Sequence, residues 1–256
     1  MHQRELWLKH FYDREIPAWK CPNCELGVLE LAEKTYSDAK LTLPSILSDF
    51  DASSQRAWDE DDYPYPDGVF SAILRCHRSE CREKVAMCGN FSTEERYISR
   101  DDYGRSAARW PFMFVPALRY FHIPDKCPEN IKAEVIAAFA VYWADTNSCL
   151  NRIRTAVEVI LSYMKIPIAD AKKKRIDLHR RIEILEKSEP QLAGHMMALK
   201  WLGNAGSHAG TVKNEDALDG FDLLEHILKD RFDSLKVISD AIRKKKGPRR
   251  HPKRKS

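Results

Sequence analysis

The sequence predicts an α+β protein: a small, ribbon-like β unit followed by an antiparallel bundle of α-helices. In the first half, two pairs of cysteines each stand between short apolar segments and turn residues. In the second half, apolar residues recur at intervals of three and four from Ile131 to Ile238, which places them on one face of a helix. Strands that precede a run of helices are typical of the α+β class.

The cysteine pairs define the predicted β unit. Cys21-Pro-Asn-Cys24 leads into the apolar stretch 27–31, and Cys76-His-Arg-Ser-Glu-Cys81 lies between the apolar stretches 69–74 and 83–89. Each pair therefore has the pattern of a tight turn between two short strands. The first pair has the C-P-x-C spacing, whereas the second has four residues between its cysteines.

Paired thiolates at this spacing are typical ligands of a tetrahedral zinc ion. We predict that four cysteines hold one structural zinc ion: Cys21, Cys24, Cys76 and Cys81. Cys88 or His77 could replace one of them, and the alternative is a set of buried free cysteines. Four protein ligands leave no open position for a substrate, so the metal would stabilise the fold. The odd total of seven cysteines argues against a secreted disulfide framework and for reduced thiols.

Two less regular stretches complete the predicted β region, residues 1–122. From Asp49 to Gly68 the sequence is acidic and rich in turn residues, which predicts an exposed loop. From Phe91 to Asp125 arginines alternate with aromatic residues, and we interpret this stretch as a connector that packs the β unit onto the second half of the chain. Arginines among aromatic residues are also found where nucleic-acid bases stack, so that alternative stays open.

The region 123–242 predicts a helical bundle. Helical patterns begin near residues 128, 147, 178, 190 and 214. Pro128-Glu129 suits a first turn, Asn147 or Ser148 is the expected cap of the second helix, and Pro167 is its expected end. Short links between four or five helices favour an antiparallel arrangement.

The charge of the chain is distributed unevenly. The net charge is +4, but nine lysines and arginines and no acids follow Ala241, which leaves 33 bases against 38 acids in the rest. The predicted tail, 243–256, is therefore basic and disordered, and the remainder is acidic. Such a tail could bind nucleic acid by counterion release or could act as a solubilising extension. The candidate phosphate-binding residues in it are Lys244, Lys245, Lys246, Arg249 and Arg250.

A glycine-rich motif at 198–210 carries the candidate catalytic residues. If its helix persists, Lys200, Asn204 and His208 fall four residues apart on one face. Gly203, Gly206 and Gly210 form a bare face, although each glycine inside a helix costs roughly 1 kcal/mol relative to alanine. The pattern indicates close approach by a backbone or a phosphate, or a glycine-rich helix end packed on its neighbour.

Arg154-x-x-x-Glu158 followed by Gly203-Asn204 and Ser207-His208 resembles the bacterial domain-of-unknown-function family 4145. The family pattern is "R-x-x-L-E" and later "GN-x-x-AH", so Val157 replaces its leucine and Ser207 its alanine. This family is grouped with the HEPN all-α superfamily, which includes metal-independent endoribonucleases and inactive relatives. The resemblance covers roughly residues 123–242 and implies a HEPN-like bundle.

The resemblance implies RNA cleavage centred on five residues: His208, Asn204, Arg154, Glu158 and Lys200. In HEPN nucleases a histidine moves protons while an arginine four to six residues earlier offsets charge on the phosphate. Here those positions hold no arginine, and Lys200 is the nearest cation. Arg154 could therefore supply the cation and Glu158 could orient His208, or the two could form an intrahelical ion pair.

The expected function is thus that of a nucleic-acid-directed protein in bacterial defence, acting on RNA rather than DNA. The alternative is a non-catalytic adaptor that contains zinc, dimerises and binds nucleic acid or a partner protein. A homodimer and a defence-system partner are implied by the family alone. With no apolar run of 18 residues and a mixed, polar N-terminus, the sequence predicts a cytoplasmic protein without a membrane partner.

Overall fold

The computed structural model describes residues 3–8, 10–41, 67–99, 102–205, 212–233 and 242. These residues form six helices and six strands, which confirms the α+β class. The chain divides into two compact units. The sheet unit comprises residues 1–120, 136–149 and 211–217, and the helical unit comprises residues 121–135, 150–210 and 218–256. The predicted boundaries 1–122, 123–242 and 243–256 stay a prediction.

One antiparallel sheet dominates the sheet unit. Its strands are β1 (Phe11–Tyr12), β2 (Leu29–Leu31), β3 (Ser37–Lys40), β4 (Gly68–Cys76), β5 (Lys84–Ser99) and β6 (Asp102–Val115). The strand order is β1-β6-β5-β4-β2, and β3 also pairs with β4. The strands around both cysteine pairs are therefore present, but they belong to a larger sheet than the small ribbon that the spacing predicts.

The stretch that we interpreted as a connector is mostly strand, so that interpretation is wrong. β5 continues to Ser99 and β6 returns from Asp102, with Glu95 opposite Arg105. The Arg105 Nη2 atom lies 3.8 Å from Glu95 Oε1, so these two exposed side chains carry opposite charges that face each other across the strand pair. The proline in β6, Pro111, argues against a strand, but it lies opposite Gly89 where the register shifts.

The inner face of the sheet packs around Trp19, whose exposed fraction is 1%. Its ring makes edge contacts with Phe11 and Phe114, at centroid distances of 5.9 and 5.0 Å. Its indole Nε1 donates to the carbonyl of Leu6. Because Trp19 is two residues before Cys21, this packing fixes the start of the first cysteine turn against the sheet.

The six described helices are α1 (Gln3–Leu8), α2 (Glu129–Tyr142), α3 (Thr146–Tyr163), α4 (Leu178–Glu186), α5 (Pro190–Ala205) and α6 (Asn214–Phe232). All five predicted helix starts in the second half are confirmed to within two residues. The cap of α3 was assigned wrongly, because the Asp145 carboxylate accepts from the Asn147 N–H and from the Ser148 hydroxyl. α3 also ends at Tyr163, four residues before the expected end at Pro167.

Two predicted segments lie largely or wholly outside the described residues. They are the acidic loop, of which only residues 67 and 68 are described, and the basic tail 243–256. In the part of the chain that is described, no helix combines the length and the apolar character needed to cross a membrane. The packing of the helices as a HEPN-like bundle stays a prediction.

Candidate functional site

The four predicted metal ligands lie together in the sheet unit. The sulfur atoms of Cys21, Cys24, Cys76 and Cys81 all lie within 4.8 Å of one another. Cys21 Sγ is 3.7 Å from Cys81 Sγ, and Cys24 Sγ is 3.7 Å from Cys76 Sγ. Such a cluster of four thiols could hold a metal ion.

Strand pairing explains how the two pairs meet, although Cys24 and Cys76 are 52 positions apart in the sequence. β2 follows the first cysteine turn and pairs antiparallel with β4, so that Leu29 is opposite Cys76. In each turn the residue after the second cysteine, Glu25 or Arg82, has a positive φ, of 54° and 49° respectively. This left-handed conformation turns the chain sharply directly after each cysteine pair.

The backbone packs closely against the sulfur atoms at Gly27. A Cβ atom at Gly27 would lie 2.3 Å from Cys76 Sγ, so only glycine fits at this position. The Gly27 N–H also donates to Cys24 Sγ at 3.3 Å. Burial opposes ionisation of Cys24, but the N–H groups of Leu26 and Gly27, together with hydrogen bonds to the Cys81 and Cys76 thiols, lower the pKa of this thiol to about 6. Burial raises the pKa of Cys21 and Cys76, so of these three thiols only Cys24 has surroundings that favour the thiolate form that binds metals.

The two proposed substitute ligands lie elsewhere. His77 Nδ1 accepts from the Val28 N–H at 2.8 Å, so this ring nitrogen is used in pairing the chain around the turn. Cys88 lies within β5, opposite Ser71 on one side and Met113 on the other. The described cluster therefore contains the four original cysteines and neither substitute.

In the helical unit, the two halves of the predicted catalytic motif are in contact. Gly203 of α5 packs directly on Arg154 of α3, because a Cβ atom at Gly203 would lie 2.8 Å from Arg154 Cβ and 3.2 Å from the Leu150 carbonyl oxygen. The close approach that the glycine pattern indicates is thus present at this position. Within α3, Arg154 Nη2 lies 3.7 Å from Glu158 Oε1.

Arg154 and Glu158 line a groove of about 630 Å³ in the helical unit. The polar and charged lining includes Asn130, Arg154, Glu158, Arg175, Asp177 and Arg181. Arg175 is 84% exposed with its Nη2 atom 4.0 Å from Glu158 Oε2, whereas Arg181 is 5% exposed. Arginines outnumber carboxylates in this groove, so an anion is the ligand that it suits.

The other predicted catalytic residues are placed differently. Lys200 Nζ lies 3.4 Å from His179 Nδ1, and His179 Nε2 lies 3.4 Å from Glu183 Oε1. Asn204 is half-buried near the end of α5. His208 lies outside the described residues, as do the tail residues Lys244, Lys245, Lys246, Arg249 and Arg250.

Sequence reasoning did not identify Arg175 and Arg181. For Arg181 a signal was present, because Leu178, Ile182 and Leu185 form the buried stripe of α4 and Arg181 falls on the same stripe. A charged residue in an apolar stripe is rarely buried without a specific reason. Arg175 closes the lysine run 172–174 and carries no comparable signal.

The described residues thus define a mixed α+β protein with a four-cysteine cluster able to hold a metal ion. Residues 136–250 match the family model of a domain of unknown function, DUF4145, which supports the resemblance drawn from the motif. Residues 9–121 match the model of another domain of unknown function, DUF8608. The comparisons with curated proteins and with solved structures gave no match.

Proposed function

We propose that this protein is directed at nucleic acid, RNA rather than DNA, and that its helical unit carries the site. The observation that supports this most is the contact of Gly203 with Arg154. It brings a guanidinium-bearing side chain of α3 against the helix that leads to Asn204 and His208. The cation missing from the short HEPN spacing would then come from another helix.

In its enzymatic form the site would cleave RNA without a metal ion. His208 would take the proton of the ribose 2′-hydroxyl as its oxygen bonds to phosphorus, and the bond from phosphorus to the 5′ oxygen would break. The departing 5′ oxygen takes up a proton, which leaves a 2′,3′-cyclic phosphate and a 5′-hydroxyl. Arg154 would offset the charge that develops on the phosphate oxygens. DNA lacks the attacking hydroxyl, so it would be bound but not cut.

A second candidate is a non-catalytic adaptor that binds nucleic acid or a partner protein. It is favoured by the ion pair between Arg154 and Glu158 and by the contact between Lys200 and His179. Both cations of the predicted site then have polar or charged neighbours within the protein. The proposed homodimer and the defence-system partner fit either candidate and come from the family resemblance.

For the cysteine cluster we propose zinc in a structural role. In a tetrahedral site with Zn–S bonds of about 2.3 Å, neighbouring sulfurs are about 3.8 Å apart. The two short sulfur distances of 3.7 Å suit that geometry. Bound zinc would keep all four thiols ionised and unavailable for disulfide formation, in keeping with the proposed cytoplasmic location.

Labelled RNA and DNA of one sequence, incubated with the full chain in EDTA, test the proposal. We expect RNA but not DNA to be cut, with loss of cutting in His208→Ala and Arg154→Met. The matched control is Arg152→Met, since Arg152 lies on the same helix and pairs with Glu134 at 3.2 Å. It should cut like the unchanged chain.

The outcomes separate the two candidates. Binding without cutting would favour the adaptor, and cutting that persists in His208→Ala would contradict the enzymatic form. If the unchanged chain bound neither RNA nor DNA, the nucleic-acid proposal would be wrong. The zinc content would be measured after the EDTA incubation. Retained zinc would show that the cysteine cluster was intact during the assay.

Removing residues 243–256 is expected to weaken RNA binding and to make it less sensitive to salt. Each lysine or arginine that contacts a phosphate of a single strand contributes about 0.7 to the slope of log affinity against log salt. Fluorescence anisotropy over a range of NaCl concentrations measures this slope. A chain with the tail residues shuffled keeps all nine cations and should bind like the original, because counterion release does not depend on their order. An unchanged slope after truncation would exclude the tail from the interface.

A further inference from the structure

Two of the arginines that line the groove each have a buried guanidinium Nε–H without a hydrogen-bond partner. Among the described residues, the buried side-chain atoms that make no hydrogen bond include Arg154 Nε and Arg181 Nε. Both residues line the groove of about 630 Å³ in the helical unit. A buried donor without an acceptor carries a free-energy cost, so both guanidinium groups are less completely neutralised by the protein than a fully paired arginine.

Arg181 is held rigidly in this groove. Its Nη1 donates to the Glu158 carbonyl at 3.2 Å, and its Nη2 donates to Ser162 Oγ at 3.0 Å and to the Ile166 carbonyl at 3.3 Å. All three acceptors are neutral, so these bonds orient the guanidinium without cancelling its charge. The side chain is 5% exposed. A charge this well oriented in a poorly solvated position attracts an anion more strongly than a surface arginine does.

The groove carries a surplus of positive charge. Arg154, Arg175 and Arg181 face two carboxylates, Glu158 and Asp177. The Asp177 carboxylate already accepts the Arg180 N–H as the cap of α4. Glu158 lies 3.7 Å from Arg154 Nη2 and 4.0 Å from Arg175 Nη2, beyond normal hydrogen-bond length from both. The arginines thus keep donors available for a phosphate, which a guanidinium binds in a planar, two-point manner.

The two guanidinium groups are spread along α3. Arg154 belongs to this helix, and Arg181 is bonded to positions 158 and 162, which are one and two turns further on. Four residues of a helix correspond to about 6 Å along its axis. A ligand with phosphates in a row fits this arrangement better than a single small anion.

We propose that Arg154 and Arg181 form a binding site for the phosphodiester backbone of single-stranded RNA, with Arg175 at its edge. This proposal depends on the proposed function for the source of the phosphates. The strand would lie along α3 and reach Arg154 where that side chain packs on Gly203. Arg181 would then position the RNA without taking part in bond cleavage.

The test measures RNA binding in the His208→Ala background, where the strand stays intact. A short labelled single-stranded RNA is titrated by anisotropy at several NaCl concentrations. Arg181→Met should weaken binding by roughly tenfold, a typical loss for one charge-assisted contact, and should flatten the salt slope by about 0.7. Arg180→Met is the matched control, since Arg180 is the adjacent residue of α4 and pairs with Glu183 at 2.7 Å. It should leave affinity and slope unchanged.

If Arg181→Met does not fold, Arg154→Met provides a second test of the binding site. The Arg154 side chain is 37% exposed, so we expect this variant to fold. It should flatten the slope in the same way. If the chain binds RNA but both variants bind it with the original affinity and salt slope, the proposed backbone-binding site is wrong and the proposed function still stands. If the chain does not bind RNA, while inorganic pyrophosphate raises its melting temperature and fails to do so in Arg181→Met, the phosphate site stands and the RNA function is wrong.

Discussion

Replacing Cys76 with serine is expected to release the bound metal and to unfold the sheet unit. Cys76 lies at the end of β4 and is buried, with its sulfur 3.7 Å from Cys24 Sγ. A serine hydroxyl is a poor ligand for a metal that prefers thiolates. A structural zinc site contributes on the order of 10 kcal/mol of apparent folding free energy, which is comparable to the whole stability of a typical domain.

The matched control is Cys88→Ser. Cys88 is a half-buried free cysteine in the neighbouring strand β5, outside the cluster. The same chemical change there should leave about one metal ion per chain, as four thiolates predict for a single tetrahedral ion. Metal content by mass spectrometry and melting temperature would be measured for both variants. A Cys76→Ser chain with full metal content and the original melting temperature would show that the cysteines are not ligands.

The cysteine cluster could be predicted because its chemistry is local. A C-P-x-C turn places two sulfurs on the same side of the chain, so only the meeting of the two pairs depends on the fold. That meeting follows from β2 pairing with β4, which the apolar stretches beside each pair already indicate. The local sequence could not exclude His77 as a metal ligand. Its ring nitrogen accepts a hydrogen bond from the Val28 N–H, and this contact becomes visible only in the folded structure.

The part of the β5–β6 hairpin that begins at Phe91 was missed because its pattern is set by pairing between the strands. Charged residues such as Glu95 and Arg105 lie opposite each other there, so this part shows no simple apolar alternation. Arg109 is 5% exposed and donates to the Tyr36 hydroxyl and to Asp38, at 3.0 Å from its carboxylate. An arginine buried by partners about 70 residues away cannot be recognised from its neighbours in the sequence.

The sequence identified two residues of the groove, Arg154 and Glu158, as candidates but did not predict the groove itself. Arg154 and Glu158 are four residues apart on α3, and their spacing alone identifies a shared face. Arg181 reaches that face from α4 by bonding to the Glu158 carbonyl, a tertiary contact. Its position in the apolar stripe of α4 signals burial but gives no information about the bonding partners.

Replacing Gly203 with alanine is expected to destabilise the helical unit, whereas the same change at Gly194 should stabilise it. Both glycines lie in α5. A Cβ atom at Gly203 would lie 2.8 Å from Arg154 Cβ and 3.2 Å from the Leu150 carbonyl, so α5 must move away from α3. At Gly194 a Cβ atom has nothing within 4 Å. Overpacking costs typically 1–3 kcal/mol, and alanine gains roughly 1 kcal/mol over glycine in a helix.

Because both variants add one methyl group to the same helix, the gain in helix propensity is common to them. The difference between their urea unfolding midpoints therefore measures the contact between α5 and α3 alone. A shift of Arg154 away from α5 should also reduce RNA cutting in Gly203→Ala, while Gly194→Ala should cut normally. If both variants were stabilised equally, the close contact that places Arg154 against the Gly203-Asn204 segment would not exist. The proposed route from Arg154 to His208 would then lose its structural basis.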